Sequence, residues 1–258
     1  MPAPLAFITG ASSGIGQALA ARYLRAGYRL VLVARRTDPI EHWLKTQAPP
    51  GNGSTAYAAD VRDVRALAQA AQRCVDEQGV PDVVVANAGV SVGMDSSQFD
   101  DLEVMRTTLE TNVLGMAATF QRFIAPMQAR GSGRLVGVAS VAGIRGLPGH
   151  AAYCSSKSAA ITYCECLRGE LRRSGVKVVT LVPGYIDTPL TRKNRYSMPF
   201  LMPAAMFAEQ AFNAIDNGAS YRVIPWQMGV VAKLLRVLPN PLFDRLLAGR
   251  PRKRRQGE

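Results

Sequence analysis

Thr9-Gly10-Ala11-Ser12-Ser13-Gly14-Ile15-Gly16 is the stretch that decides the fold. It follows a short apolar run over residues 5–9, which predicts a buried strand, and it opens a segment with the helical spacing of Ile15, Leu19 and Leu24. Glycines lack side chains, so backbone N–H groups can approach a pyrophosphate, and the start of a helix favours its negative charge. A G-x-x-x-G-x-G turn between a strand and a helix therefore predicts a dinucleotide site.

Strand and helix patterns alternate along the remainder of the chain. The strand segments are near-continuous apolar runs, which is typical of a parallel sheet buried on both faces. We therefore predict an α/β fold with a Rossmann-like doubly wound parallel sheet of about seven strands and helices on both faces. The predicted strands are residues 5–9, 29–34, 56–59, 83–86, 134–140, 176–182 and 221–224, and the predicted helices are about 13–26, 64–78, 101–129, 152–174 and 204–217.

The length and composition of the chain fit one α/β domain. It has 258 residues, of which 48% are hydrophobic, and this is enough to bury a sizeable core. We predict a single dinucleotide-binding domain over residues 1–258. The proline-rich stretch at about 189–203 is predicted to be a substrate lid, because long loops beyond the strand ends line the ligand crevice in such folds. A C-terminal helical segment is predicted at about 226–258.

Targeting and cysteine patterns indicate a reduced, cytoplasmic compartment. The N-terminus has no basic region and no long apolar core, so no signal peptide is predicted, and no uncharged apolar run is long enough to span a membrane. Cys74, Cys154, Cys164 and Cys166 lack zinc-type spacing, and only two histidines accompany them. We therefore expect free thiols and no metal site.

The formal net charge of +12 is partly local, because the chain closes on the basic run 250–255. No aromatic residues interleave with this run and no nucleic-acid motif accompanies it, so a nucleic-acid partner is not predicted. A solvated basic tail is the favoured interpretation. Contact with an anionic membrane is an alternative that the sequence does not favour.

Tyr153-x-x-x-Lys157 lies well downstream of the glycine turn, within a predicted helix. The four-residue step puts a phenol and an ammonium on one face of that helix, one turn apart. A phenol titrates near pH ~10 in water, and a neighbouring cation favours the phenolate, so its pKa moves toward the range useful for acid–base catalysis. Alone, this pair is a weak signal that often arises by coincidence on a surface helix.

Together with other motifs in the same order, the chain resembles the short-chain dehydrogenase/reductase family from Thr9 to about Pro225. The matching motifs are T-G-A-S-S-G-I-G at 9–16, Asp60-Val61, N-A-G at 87–89, Asn112, Ser140, Tyr153-x-x-x-Lys157, and Pro183-Gly184 with Ile186-Asp187-Thr188. The resemblance implies an NAD(P)-dependent oxidoreductase that transfers a hydride between nicotinamide and a carbonyl or alcohol. It also implies a homodimer or homotetramer, formed through the helices that begin near residues 101 and 152.

The resemblance further implies roles for individual residues. Tyr153 would donate its proton in reduction or accept one in oxidation. Ser140 would polarise the carbonyl, or would be an N-cap at the end of its strand. Lys157 would lower the pKa of Tyr153 and bind the nicotinamide ribose. Asn112 would anchor a water-linked proton relay, or would be a buried amide satisfied by a backbone carbonyl. The implied cofactor contacts are Gly10, Ser12, Ser13, Gly14, Ile15, Gly16, Arg35, Arg36, Asp60, Val61, Asn87, Ala88, Gly89, Tyr153, Lys157, Pro183, Gly184, Ile186 and Thr188.

The end of the second strand distinguishes the two nicotinamide cofactors. An acid there would hold the ribose 2′-OH of NAD, but this strand ends in Val33-Ala34-Arg35-Arg36. Arginine can bind a 2′-phosphate through two hydrogen bonds, so we predict NADP(H) over NAD, with two merely exposed arginines as the alternative. Ser13 stands where a basic residue accompanies a firmer NADP preference in the family.

Two further polar residues have more than one interpretation. Asp60 would contact the adenine, as the resemblance implies, or would cap the N-terminus of the following helix. His150 lies in a loop before the helix that carries Tyr153, and we predict that it is solvated and has no role.

The segment after the seventh strand reads as two short apolar helices with basic residues. It would pack on the lid or a partner subunit or line an apolar pocket, and contact with an anionic membrane is the less favoured alternative. The predicted function is an NADP(H)-dependent oxidoreductase acting on the carbonyl or secondary alcohol of an apolar small molecule. The alternative is a non-catalytic regulatory or peripheral membrane-associated protein that binds a dinucleotide with the same fold.

Overall fold

The computed structural model describes residues 3–194 and 196–249 together with Lys253 and Arg255. Its centre is a seven-stranded sheet in the order β3-β2-β1-β4-β5-β6-β9, in which every neighbouring pair is parallel. The strands are β1 (Leu5–Thr9), β2 (Arg29–Ala34), β3 (Thr55–Ala58), β4 (Val83–Ala86), β5 (Gly133–Val138), β6 (Val176–Pro183) and β9 (Tyr221–Ile224), and a small second pair joins β7 (Ile186–Asp187) to β8 (Met202–Pro203). This confirms the predicted Rossmann-like sheet.

Helices cover both faces of the sheet, as the sequence predicts. Side chains of α1, α2 and α7 pack in one core, and side chains of α3, α5 and α6 pack in the other. The helices are α1 (Gly14–Arg25), α2 (Asp38–Gln47), α3 (Val64–Gln78), α4 (Asp101–Leu109), α5 (Gly115–Arg130), α6 (Ala151–Glu170), α7 (Ala204–Asp216), α8 (Trp226–Val237) and α9 (Asn240–Leu247).

Strand β1 shows why the apolar runs are continuous. Successive side chains of a strand point to opposite faces, so Leu5 and Phe7 enter one core while Ala6 and Ile8 enter the other. The ring of Phe7 packs 4.8 Å from that of Phe123 on α5. Each such side chain contributes about 1.5–3 kcal/mol when fully buried. Burial on both faces therefore selects apolar residues at every strand position.

The predicted long helix over 101–129 is divided in the structure. A π-helical turn, Glu110–Leu114, separates α4 from α5. Within this turn the Thr111 hydroxyl donates to the Thr107 carbonyl at 2.8 Å, and Asn112 is fully buried. π turns of this kind occur often at functional sites, and here the wide turn carries a predicted site residue.

Several predicted boundaries were wrong by a few residues. The fifth strand ends at Val138 rather than at residue 140, because the Ser140 side chain caps a short 3₁₀ turn, Val141–Gly143, and accepts a hydrogen bond from the Ala142 N–H at 3.2 Å. Helix α2 was not predicted at all. The predicted lid over 189–203 is not wholly irregular. It ends in β8, and β8 pairs with β7, which lies just before the lid in the sequence.

The C-terminal segment contains the two short helices α8 and α9. None of the helices in the described part of the chain has the length and apolar character that crossing a bilayer requires.

Candidate active site

A cavity of about 360 Å³ lies where the carboxyl ends of the parallel strands meet the glycine turn. In doubly wound sheets this edge is where ligands bind. Most of the predicted site residues line it, while Gly16, Arg36 and Asn112 do not. Those in the wall are Gly10, Ser12, Ser13, Gly14, Ile15, Arg35, Asp60, Val61, Asn87, Ala88, Gly89, Ser140, Tyr153, Lys157, Pro183, Gly184, Ile186 and Thr188.

The glycine turn is held by main-chain contacts that leave no space for side chains. Gly10 has a φ of +66°, and a Cβ atom there would lie 2.7 Å from the Ala88 Cα. A Cβ atom on Gly16 would meet the Gly10 carbonyl and would lie 2.6 Å from the Asn87 Nδ2. That amide donates to the carbonyls of Thr9 at 3.0 Å and Gly10 at 3.2 Å. Gly16 therefore lies behind the cavity wall, where it lets helix α1 approach the turn.

Tyr153 and Ser140 come together at the other end of the cavity. Tyr153 is half-buried on the first turns of α6, and its side chain lies close to that of Ser140. Burial raises the pKa of the Tyr153 phenol, and the nearby Ser140 side chain opposes that rise. The cap that Ser140 makes to the Ala142 N–H fixes where its hydroxyl lies. The pair therefore presents two hydroxyl groups to one point in the cavity.

Lys157 lies one turn after Tyr153, as the spacing predicts, and it is buried. Its ammonium donates to the Val138 carbonyl at 2.8 Å and stands 5.9 Å from the centroid of the Tyr153 ring. Burial lowers the pKa of Lys157 to about 8. The expected lowering of the Tyr153 pKa by Lys157 is opposed by burial, which raises the pKa of the phenol.

Asn112 is held on all sides by hydrogen bonds. Its Oδ1 accepts from the Val90 N–H at 2.8 Å, and its Nδ2 donates to the Val90 carbonyl at 3.0 Å and to the Ser156 hydroxyl at 2.9 Å. A Cβ atom on Gly89 would lie 3.2 Å from Asn112 Oδ1 and 3.5 Å from Lys157 Nζ. Asn112 thus joins the end of β4 to α6, behind the cavity wall, and its amide is satisfied by backbone as one interpretation foresaw.

Comparison with known proteins agrees with this geometry. The family model of short chain dehydrogenases matches residues 4–198. An uncharacterized oxidoreductase of Myxococcus xanthus is 39% identical over 239 residues, which covers 93% of this chain and 94% of the relative. The chain belongs to the short-chain dehydrogenase/reductase (SDR) family.

Other proteins that are similar to this SDR chain carry the names of dehydrogenases or reductases. Dehydrogenase/reductase SDR family member 7B of Mus musculus is 30% identical, with 97% of this chain and 82% of the relative covered. Actinorhodin polyketide ketoreductase, solved with NADPH, aligns with a TM-score of 0.79 and 27% identity over 88% of this chain and 97% of that one. An SDR from Burkholderia phymatum in complex with NAD aligns with a TM-score of 0.81 and 23% identity, covering 90% and 92% of the two chains.

The part of this SDR cavity that follows β3 contains a charged pair. Asp60 accepts from the Arg62 N–H at 3.0 Å and forms an ion pair with the Arg62 guanidinium at 2.8 Å. The hydrogen bond from Arg62 keeps the pKa of Asp60 low. The interpretation of Asp60 as a helix cap was wrong, because Asp63 caps α3 by accepting from the N–H groups of Arg65 and Ala66.

The two arginines after β2 differ in position. Arg35 lines the cavity, whereas Arg36 does not, and both are exposed. Arg35 is also close enough to Asp60 to contribute to the lowering of its pKa.

His150 was predicted to be solvated, and this was wrong. It is 8% exposed, and its Nδ1 and Nε2 lie 3.2 Å from the Pro148 carbonyl and 3.4 Å from the Tyr196 hydroxyl. Burial lowers the pKa of His150, which favours the neutral imidazole. The Tyr196 phenol is also near Tyr153. The sequence could have suggested His150 only through its place immediately before α6, and nothing local suggested Tyr196.

The basic tail was predicted to be solvated, and its two described residues pack on the protein instead. Lys253 donates to the Ser91 hydroxyl at 3.0 Å, and Arg255 forms an ion pair with the buried Asp101 at 2.8 Å. The remainder of the predicted tail, including Arg250, lies outside the described residues. Lys253 and Arg255 therefore lie against the segment between β4 and the start of α4.

The four cysteines of this SDR are free thiols. Within residues 3–194 and 196–249, Lys253 and Arg255, no three His, Cys, Asp or Glu side chains are placed to hold a metal ion together.

Proposed function

We propose that this protein is an NADPH-dependent oxidoreductase that interconverts a carbonyl and a secondary alcohol on an apolar small molecule, with Tyr153 as general acid and base. The observation that carries the proposal is the convergence of Ser140, Tyr153 and Lys157 on the cavity that begins at the glycine turn. An acid–base pair beside a dinucleotide cradle is the arrangement that carbonyl reduction needs.

The residues of the cradle fit a nicotinamide dinucleotide. Cβ atoms on Gly10 and Gly16 would collide with neighbouring atoms, mainly of the main chain. Because both residues are glycines, the turn can close tightly, and the N-terminus of α1 faces the cavity. The N-terminus of α1 offers unpaired backbone N–H groups to a pyrophosphate. Pro183 and Gly184 line the opposite end, where the nicotinamide would lie. When bound there, the cofactor would supply or accept the hydride.

Tyr153 and Ser140 would handle the substrate oxygen. Ser140 would hydrogen-bond the carbonyl and stabilise the charge that develops on it. Tyr153 would donate its phenolic proton to that oxygen in reduction and take it back in oxidation. Their shared place in the cavity wall supports this division, because both side chains can reach one substrate oxygen.

Lys157 and Asn112 would support the proton transfer. Burial lowers the pKa of Lys157 to about 8, so its ammonium would exchange protons near neutral pH. A dinucleotide phosphate or ribose hydroxyl would give its ammonium a second partner besides the Val138 carbonyl. Asn112 would keep α6 and the end of β4 in register, since its amide joins Val90 to Ser156.

NADPH is preferred over NADH in this proposal because Arg35 lines the cavity at the end of β2, where Ala34 takes the place of an acid. A guanidinium can grip a 2′-phosphate with two hydrogen bonds, which is worth about 1.5–3 kcal/mol. The ketoreductase solved with NADPH supports this preference, and the SDR solved with NAD does not.

The chain is also proposed to work as one domain that forms a homo-oligomer. Leu102 is 58% exposed in the first turn of α4, Phe99 is 84% exposed just before that helix, and Leu114 is 48% exposed on the π turn. Apolar side chains exposed on these helices support the contact between subunits that the family resemblance implies.

A turnover assay tests the proposed function. Consumption of NADPH is followed with aliphatic, aromatic and long-chain ketones and aldehydes, and NADP⁺ reduction is followed with the corresponding alcohols. The account expects at least one apolar substrate to be converted with one NADPH consumed for each alcohol formed. Tight NADPH binding with no conversion across both panels would favour the non-catalytic alternative.

A further inference from the structure

The outward face of α8 is apolar, which reverses the usual pattern of a surface helix. Such a helix normally buries one apolar stripe and exposes polar side chains. Helix α8 does bury Met228, Gly229 and Ala232. Its exposed side chains nevertheless include Trp226 (68% exposed), Val230 (47%), Leu234 (62%) and Val237 (77%).

These exposed side chains form one continuous stripe. At roughly 100° of rotation per residue, Trp226, Val230, Leu234 and Val237 fall within an arc of about 80°, nearly opposite the buried side of the helix. Helix α9 adds Leu242 and Leu246, which are exposed and one turn apart. The α8–α9 face is defined here as Trp226, Val230, Leu234, Val237, Leu242 and Leu246.

Close contacts fix the orientation of α8. A Cβ atom on Gly184 would lie 2.6 Å from Met228 Cγ, and a Cβ atom on Gly229 would lie 3.2 Å from Val223 Cβ. The Arg145 guanidinium holds the far end of α8 by donating to the Arg236 carbonyl at 2.9 Å and the Leu238 carbonyl at 2.7 Å. The helix cannot rotate its apolar stripe inward without losing these contacts.

The charges around this face indicate what covers it. Residues 226–249 contain the cations Lys233, Arg236 and Arg245 and a single acid, Asp244. All three cations are exposed. A second copy docked about a two-fold axis would place the same patch on both sides and bring like charges together. An anionic lipid surface complements both the apolar stripe and the cations, and the whole chain carries a net charge of +12.

We propose that the α8–α9 face docks this protein on an anionic lipid bilayer as a peripheral protein. The apolar side chains would enter the boundary between headgroups and acyl chains, and Lys233, Arg236 and Arg245 would contact the headgroups. Trp226 suits that boundary because its ring is both large and polar at one edge. This reverses the preference drawn from the sequence, which could not show that the stripe is left uncovered by the described residues. The docking does not depend on catalysis.

Vesicle sedimentation tests the docking with the full-length protein. Vesicles of equal parts phosphatidylglycerol and phosphatidylcholine are compared with vesicles of phosphatidylcholine alone, at low and high salt. We expect binding to the anionic vesicles that weakens as salt rises. The double variant Trp226→Ser/Leu234→Ser should weaken binding at least about tenfold, since burial of one large apolar side chain contributes that much. Lys233→Glu/Arg236→Glu should weaken it at least about 25-fold, at about fivefold for each lost cation.

Matched controls separate this face from the protein surface in general. Met206→Ser removes a side chain that is 54% exposed on α7, and Arg25→Glu/Lys45→Glu makes the same change in charge elsewhere. Both should bind as the wild type does, and all variants should melt at its temperature.

Three results would overturn the proposal. The first is absence of vesicle binding at low salt. The second is a dimer that dissociates in Trp226→Ser/Leu234→Ser without any vesicle binding, which would make a second copy the occupant. The third is binding that survives the variants on this face but disappears when residues 250–258 are deleted, which would place the lipid contact in the tail.

Discussion

The glycine turn and the C-terminal helices α8 and α9 are held in place by different kinds of contact. At the turn, Gly10 and Gly16 lie so close to main-chain atoms that no side chain fits. At the C-terminal helices, side chains make the contacts. Arg145 donates to the carbonyls of Leu235, Arg236 and Leu238, and its guanidinium lies 3.9 Å from the centroid of the Phe243 ring.

This difference explains which region can be recognised from sequence. A contact between main-chain atoms admits only glycine, so it leaves a fixed motif at fixed spacing. A contact made by a long side chain can be replaced by other combinations, and it leaves no pattern near Arg145 itself. The glycine turn can therefore be recognised in the sequence, whereas the arrangement of α8 and α9 can be recognised only in the structure.

Substitution of a turn glycine should have the largest effect on stability. Gly16→Ala places a methyl group against the Gly10 carbonyl and 2.6 Å from Asn87 Nδ2. We expect the free energy of unfolding to fall by about 2–4 kcal/mol, because the main chain must move to admit it. Denaturant unfolding measures this. Gly169→Ala is the matched control, since nothing lies within 4 Å of a Cβ atom there and α6 should gain about 0.5–1 kcal/mol.

Arg35→Asp tests the nucleotide end through ligand binding. The change removes a phosphate partner and adds a like charge, so NADPH affinity should fall roughly 10–100-fold while NADH affinity changes little. Fluorescence titration with both cofactors measures this. Arg36→Asp introduces the same charge outside the cavity wall and should have a smaller effect. Equal affinity of the wild type for NADPH and NADH would contradict the assignment.

The kind of contact also decides which other features could be predicted from the sequence. Strands β1 and β4 were predicted to the residue, because burial on both faces makes their apolar runs sharp. Ser140 was predicted as the last residue of a strand, whereas its bond to the Ala142 N–H confirms the alternative that it is a cap at the strand end, because residue type alone does not fix where the strand stops. His150 and Tyr196 are 46 residues apart in sequence, and no local periodicity links two loops over that separation.

Arg145→Met tests the C-terminal end, with a smaller expected effect. It removes the hydrogen bonds to the end of α8 while keeping an apolar stem against Phe243. We expect the free energy of unfolding to fall by about 1–2 kcal/mol, since the freed carbonyls are partly accessible to water. Hydrogen exchange should accelerate in α8 and α9 and stay unchanged in α1. Arg122→Met, at an exposed position of α5, is the control. Faster exchange in α1 as well would show that the two ends are not independent.

The central claim is that Tyr153 transfers the proton, and single-turnover kinetics of Tyr153→Phe test it most directly. Wild type and variant are preloaded with NADPH and mixed with a converted ketone, and the NADPH dissociation constant is measured separately. Tyr163→Phe, on the same helix, is the control and should react as the wild type does. The account predicts a rate lowered about 10²–10⁴-fold with nearly unchanged NADPH affinity. A variant that keeps more than about a tenth of the wild-type rate would contradict it, because general acid catalysis contributes more than that.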